Sequence, residues 1–284
     1  MIYISLTTVP LRMQLWESAR INLTSLLNQD TDKEYKVVLS VPYHYKNNNN
    51  EEYILSEQLI AFAQENPRLI INRVEEDFGP IVKVTGVLEI SNDPNDILIV
   101  CDDDQEYHPE MLEYILNKMN KYPKDAVCFR GDNPIETREW TEEDGVNKYI
   151  LKSTHLTFPV KVDLQLLIPG HWHSVGYKRS FFEDDFLTKD FLSYSNNDDV
   201  LVGYYLKKNQ IHLRCVTWDK ETDFRPVNHY GRPAYSFPIV QALPFPNSGF
   251  YEFRQQSGNG SGKTVDHVLN FLHDEHIIFI AKNE

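Results

Sequence analysis

Three consecutive carboxylates, Asp102-Asp103-Asp104, close a short apolar run, Ile97-Leu98-Ile99-Val100-Cys101. Side by side, they repel one another and resist burial unless positive charge offsets them. A divalent cation with oxygen ligands, Mn²⁺ or Mg²⁺ in type, is the simplest such charge. It keeps waters and takes its remaining ligands from substrate phosphates. A solvated acidic turn with no ligand is the plainer alternative. Two other stretches look chemical and are set aside. His171-Trp172-His173 has no Cys or HExxH partner nearby, so it is not read as a zinc site; Trp172 is a flat aromatic platform or a core residue. Ser257 to Thr264 ends like a phosphate-binding loop, but Ser257 stands where the first glycine belongs and no strand precedes it. A flexible turn is the better reading.

The elements that must carry the acids follow from pattern. Ile97 to Val100 is too short for a helix and rich in β-branched residues, so it reads as a buried strand with the acids at its C-terminal end. Ligands bind at that edge of open α/β sheets. Before it, strands are expected at 1–6, 35–41 and 69–72, with helices over 13–28, around Leu55 to Phe62, and over 81–90. A helix over 108–119 follows, with Pro109 suited to a first turn. Strand and helix thus alternate over the first ~120 residues, which predicts a mostly parallel sheet covered by helices. Beyond Val127 the regularity fades. Residues 132–149 read as polar loop, 164–168 and 211–216 as strands, 198–208 as a helix, and 265–273 as a last helix. Lys46 to Glu51, with its four asparagines, reads as a polar loop. No linker divides the chain, so 1–284 is expected to form one domain: 1–130 a half with a nucleotide-type sheet, and 131–284 a half of irregular segments that could bind a second ligand.

Composition narrows the classes. With 41% hydrophobic and 25% charged residues, the chain of 284 residues is globular in type. A net charge of −14 argues against nucleic acid or an anionic membrane as the main partner. The three cysteines, Cys101, Cys128 and Cys215, lie in apolar, strand-like contexts and read as reduced core residues. No apolar run approaches the ~18 residues of a membrane span, and the first residues read as a strand rather than a signal peptide. A cytoplasmic location is expected; the Asn- and Ile-rich usage further suggests an AT-rich genome, viral in type, and so a host cytoplasm.

These features resemble the GT-A glycosyltransferases of the family 2 type, whose hallmark is an Asp-x-Asp after the fourth strand. Asp102-Asp103-Asp104 matches it. Ile4 to Arg12 looks like the first strand and nucleotide-contacting loop. Asp77-Phe78-Gly79-Pro80 with Lys83 is similar to a D-[YF]-G-P-x-x-K motif of a glycosyltransferase-like group in bacteria and large DNA viruses. Gly170 to Phe182 looks like the acceptor loop, and Asn197-Asp198-Asp199-Val200 resembles the acidic pair that carries the base in inverting members. The likeness runs over about 1–216; residues 219–284 are not placed by it.

The resemblance implies a GT-A, Rossmann-like sheet with an irregular acceptor-side portion. It implies metal-dependent transfer of a sugar from a nucleotide-sugar, UDP-linked, to a glycan or protein hydroxyl, with inversion. Asp104 and Asp102 are the expected metal ligands, with a late histidine, His229 or His267, completing the sphere. Asp103 faces the ribose or the core. Thr7 and Thr8 are expected around the donor, and Arg12 and Lys83 are candidates to pair with its diphosphate; alternatively Lys83 is a solvated helix lysine. Asp77 either accepts a hydrogen bond from base or ribose or caps its helix. Asp199, with Asp198 beside it, is the expected base; alternatively Asp198 is an N-cap and Asp199 an ordinary first-turn acid. Two other classes compete: a silent module of the same fold that binds a nucleotide or glycan, and a phosphatase-type enzyme using the same strand-end acids. Gln105-Glu106 after Asp104 disfavours the latter.

Overall fold

The computed structural model describes residues 1–46, 50–137, 142–143, 146–147, 150–155, 163–188, 192, 198–217 and 239–242. Eight strands among them form the central sheet: β1 (Ile2–Thr7), β2 (Tyr35–Pro42), β3 (Leu69–Val74), β4 (Ile97–Val100), β5 (Ala126–Cys128), β6 (Leu164–Leu166), β7 (Val175–Lys178) and β8 (Leu213–Cys215). Their order is β6-β8-β5-β7-β4-β1-β2-β3. The β4-β1-β2-β3 half and the β8-β5 pair are parallel, while β7 runs antiparallel to both its neighbours. This is the helix-flanked, mostly parallel sheet that the alternating pattern predicts.

Six helices accompany the sheet in the described residues: α1 (Pro10–Met13), α2 (Trp16–Leu27), α3 (Glu57–Glu65), α4 (Val82–Ile90), α5 (Met111–Lys121) and α6 (Asp198–Lys208). Alternate residues of each strand face opposite layers, as strand geometry requires. Val38, Leu98 and Val100 pack with Val84, Val87 and the apolar residues of α6. Val37, Leu39 and Ile99 pack with α2, α3 and α5. Both faces are therefore covered, which is why the middle of β2, Val37-Val38-Leu39, is apolar at consecutive rather than alternate positions.

The helix that carries Lys83 lies unusually close to the sheet. A Cβ at Gly86 would come within 2.2 Å of Ser40 Oγ, so only glycine permits this approach. Ser5 Oγ donates to the Lys83 carbonyl (2.6 Å) and Asn72 Nδ2 to the Gly86 carbonyl (2.9 Å), which fixes α4 along its axis. On the other side, a Cβ at Gly203 of α6 would meet the Leu167 carbonyl at 2.4 Å, so α6 packs backbone to backbone on the segment after β6.

Several expectations are corrected. The helix expected over 13–28 is two pieces, because Leu15 leaves helical geometry (φ −94°, ψ 61°) between α1 and α2. α5 begins at Met111 rather than at residue 108. Residues 132–149 are not simply loop: Gly131–Thr137 pairs antiparallel with Ile150–His155, and Glu142–Glu143 with Val146–Asn147. Backbone pairing across a hairpin needs no apolar pattern, so polarity hid it. Gly170 to Phe182, expected as loop, contains β7, which inserts between β4 and β5. Ile239–Ala242 pairs with Gln105–Tyr107, beside the acidic turn. Within the expected Lys46–Glu51 loop, residues 47–49 lie outside the described residues, as do His229, His267, the stretch 257–264 and the last helix. No described helix is long and apolar enough to cross a membrane. All three cysteines are free and buried.

Candidate active site

The acidic triplet leaves β4 at its C-terminal end, and its backbone is held from below. Asn22 of α2, buried, donates to the carbonyls of Asp102 (3.1 Å) and Gln105 (2.7 Å). The Asp102 N–H donates to Tyr107 Oη at 2.9 Å. The three side chains then diverge. Asp103 turns inward, 7% exposed, and pairs with Arg12. Asp104 accepts from Arg12 at 3.2 Å and from Gln105 Nε2 at 2.9 Å. Asp102 accepts from Lys83 Nζ at 2.6 Å.

These groups open on one cavity of about 250 Å³. Its walls include Thr7, Thr8, Arg12, Asp77, Lys83, the three triplet acids and Asp198. The expected donor residues and the acid at the start of α6 thus meet in one place, although they come from β1, α1, α4, β4 and α6. Asp77 is not the helix cap of the alternative reading, since the cap positions fall at Phe78 for the 3₁₀ turn Gly79–Ile81 and at Ile81 for α4; instead its Oδ1 accepts from the Gly79 N–H (2.8 Å) and its Oδ2 from the Lys46 N–H (2.9 Å). The turn needs Gly79, whose φ is +74°.

Lys83 is the joint between the two acidic groups. Its ammonium lies 2.6 Å from Asp102 and 2.7 Å from Asp198, with the side chain only 6% exposed. Burial opposes charge on Lys83, but Asp102, Asp198 and Asp199 more than offset it and hold the ammonium firmly protonated. The sequence suggested a lysine aimed at a diphosphate; the structure shows one already engaged by carboxylates on both sides.

The acidic pair splits in character. Burial would raise the Asp198 carboxyl, yet Lys83 and His171 drive it far below the usual range. Asp199 moves the other way: burial and the neighbouring Asp198 raise it, opposed by His171 and Lys83. Asp199 is also the more accessible, with 31% of its side chain exposed against 12% for Asp198. In the triplet, burial and the two neighbouring acids lift Asp104 to about 6. Two residues that sequence reasoning did not assign to the site also stand here. His171 is fully buried beside Asp198 and Asp199, and Tyr177 holds the far side of its ring. A histidine two residues after Ile-Pro gave no local signal of that.

The donor chemistry fits a hard cation. Asp102 and Asp104 offer carboxylate oxygens to a cavity in which five carboxylates face two cationic side chains, and Asp103 Oδ2 is buried without a partner among the described residues. One or two carboxylates plus phosphate oxygens suffice for Mg²⁺ or Mn²⁺. Among the described residues, a set of three ligand atoms lying mutually within 4.8 Å occurs instead at His171, Asp198 and Asp199.

The Glycosyl transferase family 2 profile matches residues 9–186, more than half of the chain. Two crystal structures of S. aureus TarS are similar. One, of its residues 1–349, is 13% identical with a TM-score of 0.44, covering 77% of this chain and 58% of that one. The other is 14% identical with a TM-score of 0.48, covering 90% and 38%. The chain thus spans from about two fifths to under two thirds of those chains. No curated protein matches it.

Proposed function

The chain belongs to glycosyl transferase family 2, and on that premise we propose that it moves a sugar from a UDP-sugar to an acceptor hydroxyl with inversion. The observation that carries this reading is the span of Lys83 from Asp102 to Asp198, which joins the acidic turn to the head of α6, where Asp199 stands next to Asp198, with Asp102 and Asp198 both lining one cavity. Asp102 and Asp104 would hold Mn²⁺ or Mg²⁺. Such a cation, when bound, neutralises charge on the departing diphosphate without a proton.

The chain's own residues do the rest. Thr7, Thr8 and Asp77 line the wall where a nucleoside would lie. Arg12 keeps Asp103 and Asp104 in place. Asp199 takes the proton of the acceptor hydroxyl as its oxygen attacks the anomeric carbon and the bond to the diphosphate breaks. A single displacement with the base opposite the leaving group inverts that carbon.

The test is release of UDP from a panel of UDP-sugars with Mn²⁺ and varied acceptors. Asp199→Asn should lower turnover about 10²- to 10⁴-fold while metal-dependent UDP affinity stays. Asp104→Ala should lose that affinity. UDP binding without release from any donor would overturn the enzymatic reading in favour of a binding module.

A further inference from the structure

We infer that His171 is a positioning residue for the base: its buried ring clamps both acids at the start of α6, so that Asp199 presents one oxygen to the acceptor hydroxyl. This rests on Asp199 as the base proposed above.

His171 opens a single 3₁₀ turn, His171–His173, entered from Gly170 and left through Ser174 at φ 65°. The following strand, β7, pairs Val175 with Val100, which carries this turn to the edge where the acidic triplet leaves β4. The ring is fully buried. Nδ1 lies 2.9 Å from Asp198 Oδ2 and 2.6 Å from Asp199 Oδ1. Nε2 lies 2.8 Å from Tyr177 Oη. The His171 backbone N–H also donates to Asp199 Oδ1, at 3.2 Å.

Carboxylates only accept, so Nδ1 must carry a proton, and both acids share it. Asp199 Oδ1 is thereby pinned by two donors from one residue. Nothing among the described residues donates to Oδ2. One oxygen is fixed and the other left for chemistry, which is how a base is oriented.

The charged and titratable groups around the ring are Asp198 and Asp199 from α6, Lys83 from α4 and Tyr177 from β7. Burial opposes charge on the ring, but Asp199 and the hydrogen bonds to both acids outweigh it and favour imidazolium. With the ring charged, two carboxylates face two cations. A metal at this cluster would have to displace the Nδ1 proton from between the acids. The ring's charge in turn restrains the rise of Asp199, so removing it must lift that carboxyl further.

Two substitutions separate the contacts. In His171→Asn the amide nitrogen falls near the place of Nδ1; in His171→Gln it falls near the place of Nε2. Metal-dependent UDP binding is measured first on the full chain and should stay within about twofold for both, since neither touches the donor wall. The Gln variant should then lower kcat about 100-fold, the scale of a misplaced reacting group, with donor KM unchanged. The acid limb of its kcat profile should move to higher pH. The Asn variant should recover part of kcat while keeping the shifted limb. Wild-type kcat and an unmoved limb in both variants would overturn the assignment. So would equal losses of kcat and UDP affinity, which mark a merely structural role. If the wild type itself releases no UDP, the glycosyl-transfer reading fails separately, and the ring is read by ¹⁵N NMR. A protonated Nδ1 whose titration moves to lower pH in Asp199→Asn supports the clamp; a ring that titrates alike in both proteins overturns it.

Discussion

Asp104→Asn should make the metal-free protein more stable at pH 8 while removing its response to Mn²⁺. Asp104 sits beside two other acids, and burial plus those neighbours raise its carboxyl to about 6. A raised acid penalises the folded state wherever it must ionise. Set against an unfolded value of about 4, the displacement corresponds to about 3 kcal/mol. With 31% of the side chain exposed, water screens part of that, and about 1–2 kcal/mol is expected. The amide also finds a partner: Gln105 Oε1 is buried without one among the described residues, and a flip of the Gln105 amide brings it to the new NH₂. The sign fixes the pH window. The advantage of the variant should be full above about pH 6 and should vanish below about pH 4, where both states are protonated. Thermal melts of both proteins at pH 4, 5, 6 and 8, with and without Mn²⁺, give the difference; each kcal/mol is worth about 2–4 °C at this size. Mn²⁺ should stabilise the wild type alone. A variant no more stable than the wild type at pH 8 without metal, or an advantage that persists at pH 4, would refute the electrostatic account of the triplet.

Two further predictions concern the frame around that turn. Lys83→Met leaves Asp102 and Asp198 facing each other without their shared ammonium, and urea unfolding at pH 7.5 should show a loss of about 3–5 kcal/mol, the cost of breaking a buried pair from one side. The loss should shrink in acid, where carboxylates protonate. Gly86→Ala places a methyl on Ser40 Oγ and pushes α4 off the sheet, so about 1–3 kcal/mol should be lost. The same variant should weaken UDP binding, because Lys83 moves with the helix; a Gly86→Ala protein with wild-type melting and binding would show that the close approach is dispensable.

The local pattern was enough to place the parts. Apolar runs of four to eight residues alternating with helical spacing specified the parallel half of the sheet, and an apolar run ending in acids marked its ligand-binding edge. Asp198 and Asp199 were legible as the first turn of a helix. What these readings share is that their signal lies within a few residues of chain.

Contacts between distant segments decided the remainder. Val175–Lys178 carries no pattern that says strand, because it is stabilised by pairing with β4 and β5, some 75 and 50 residues away in sequence by register. Polar residues 131–137 join a hairpin by backbone hydrogen bonds, to which side-chain pattern is nearly blind. Lys83 looked like a helix lysine until Gly86 and Ser40 brought α4 down onto the sheet and set its ammonium between two acids. His171 became a clamp only when β7 carried it to the head of α6. Sequence alone thus determined the elements and the kinds of charge they bear. Tertiary structure decided which charges touch, since charge pairing depends on distances of a few ångströms between residues that the chain holds far apart.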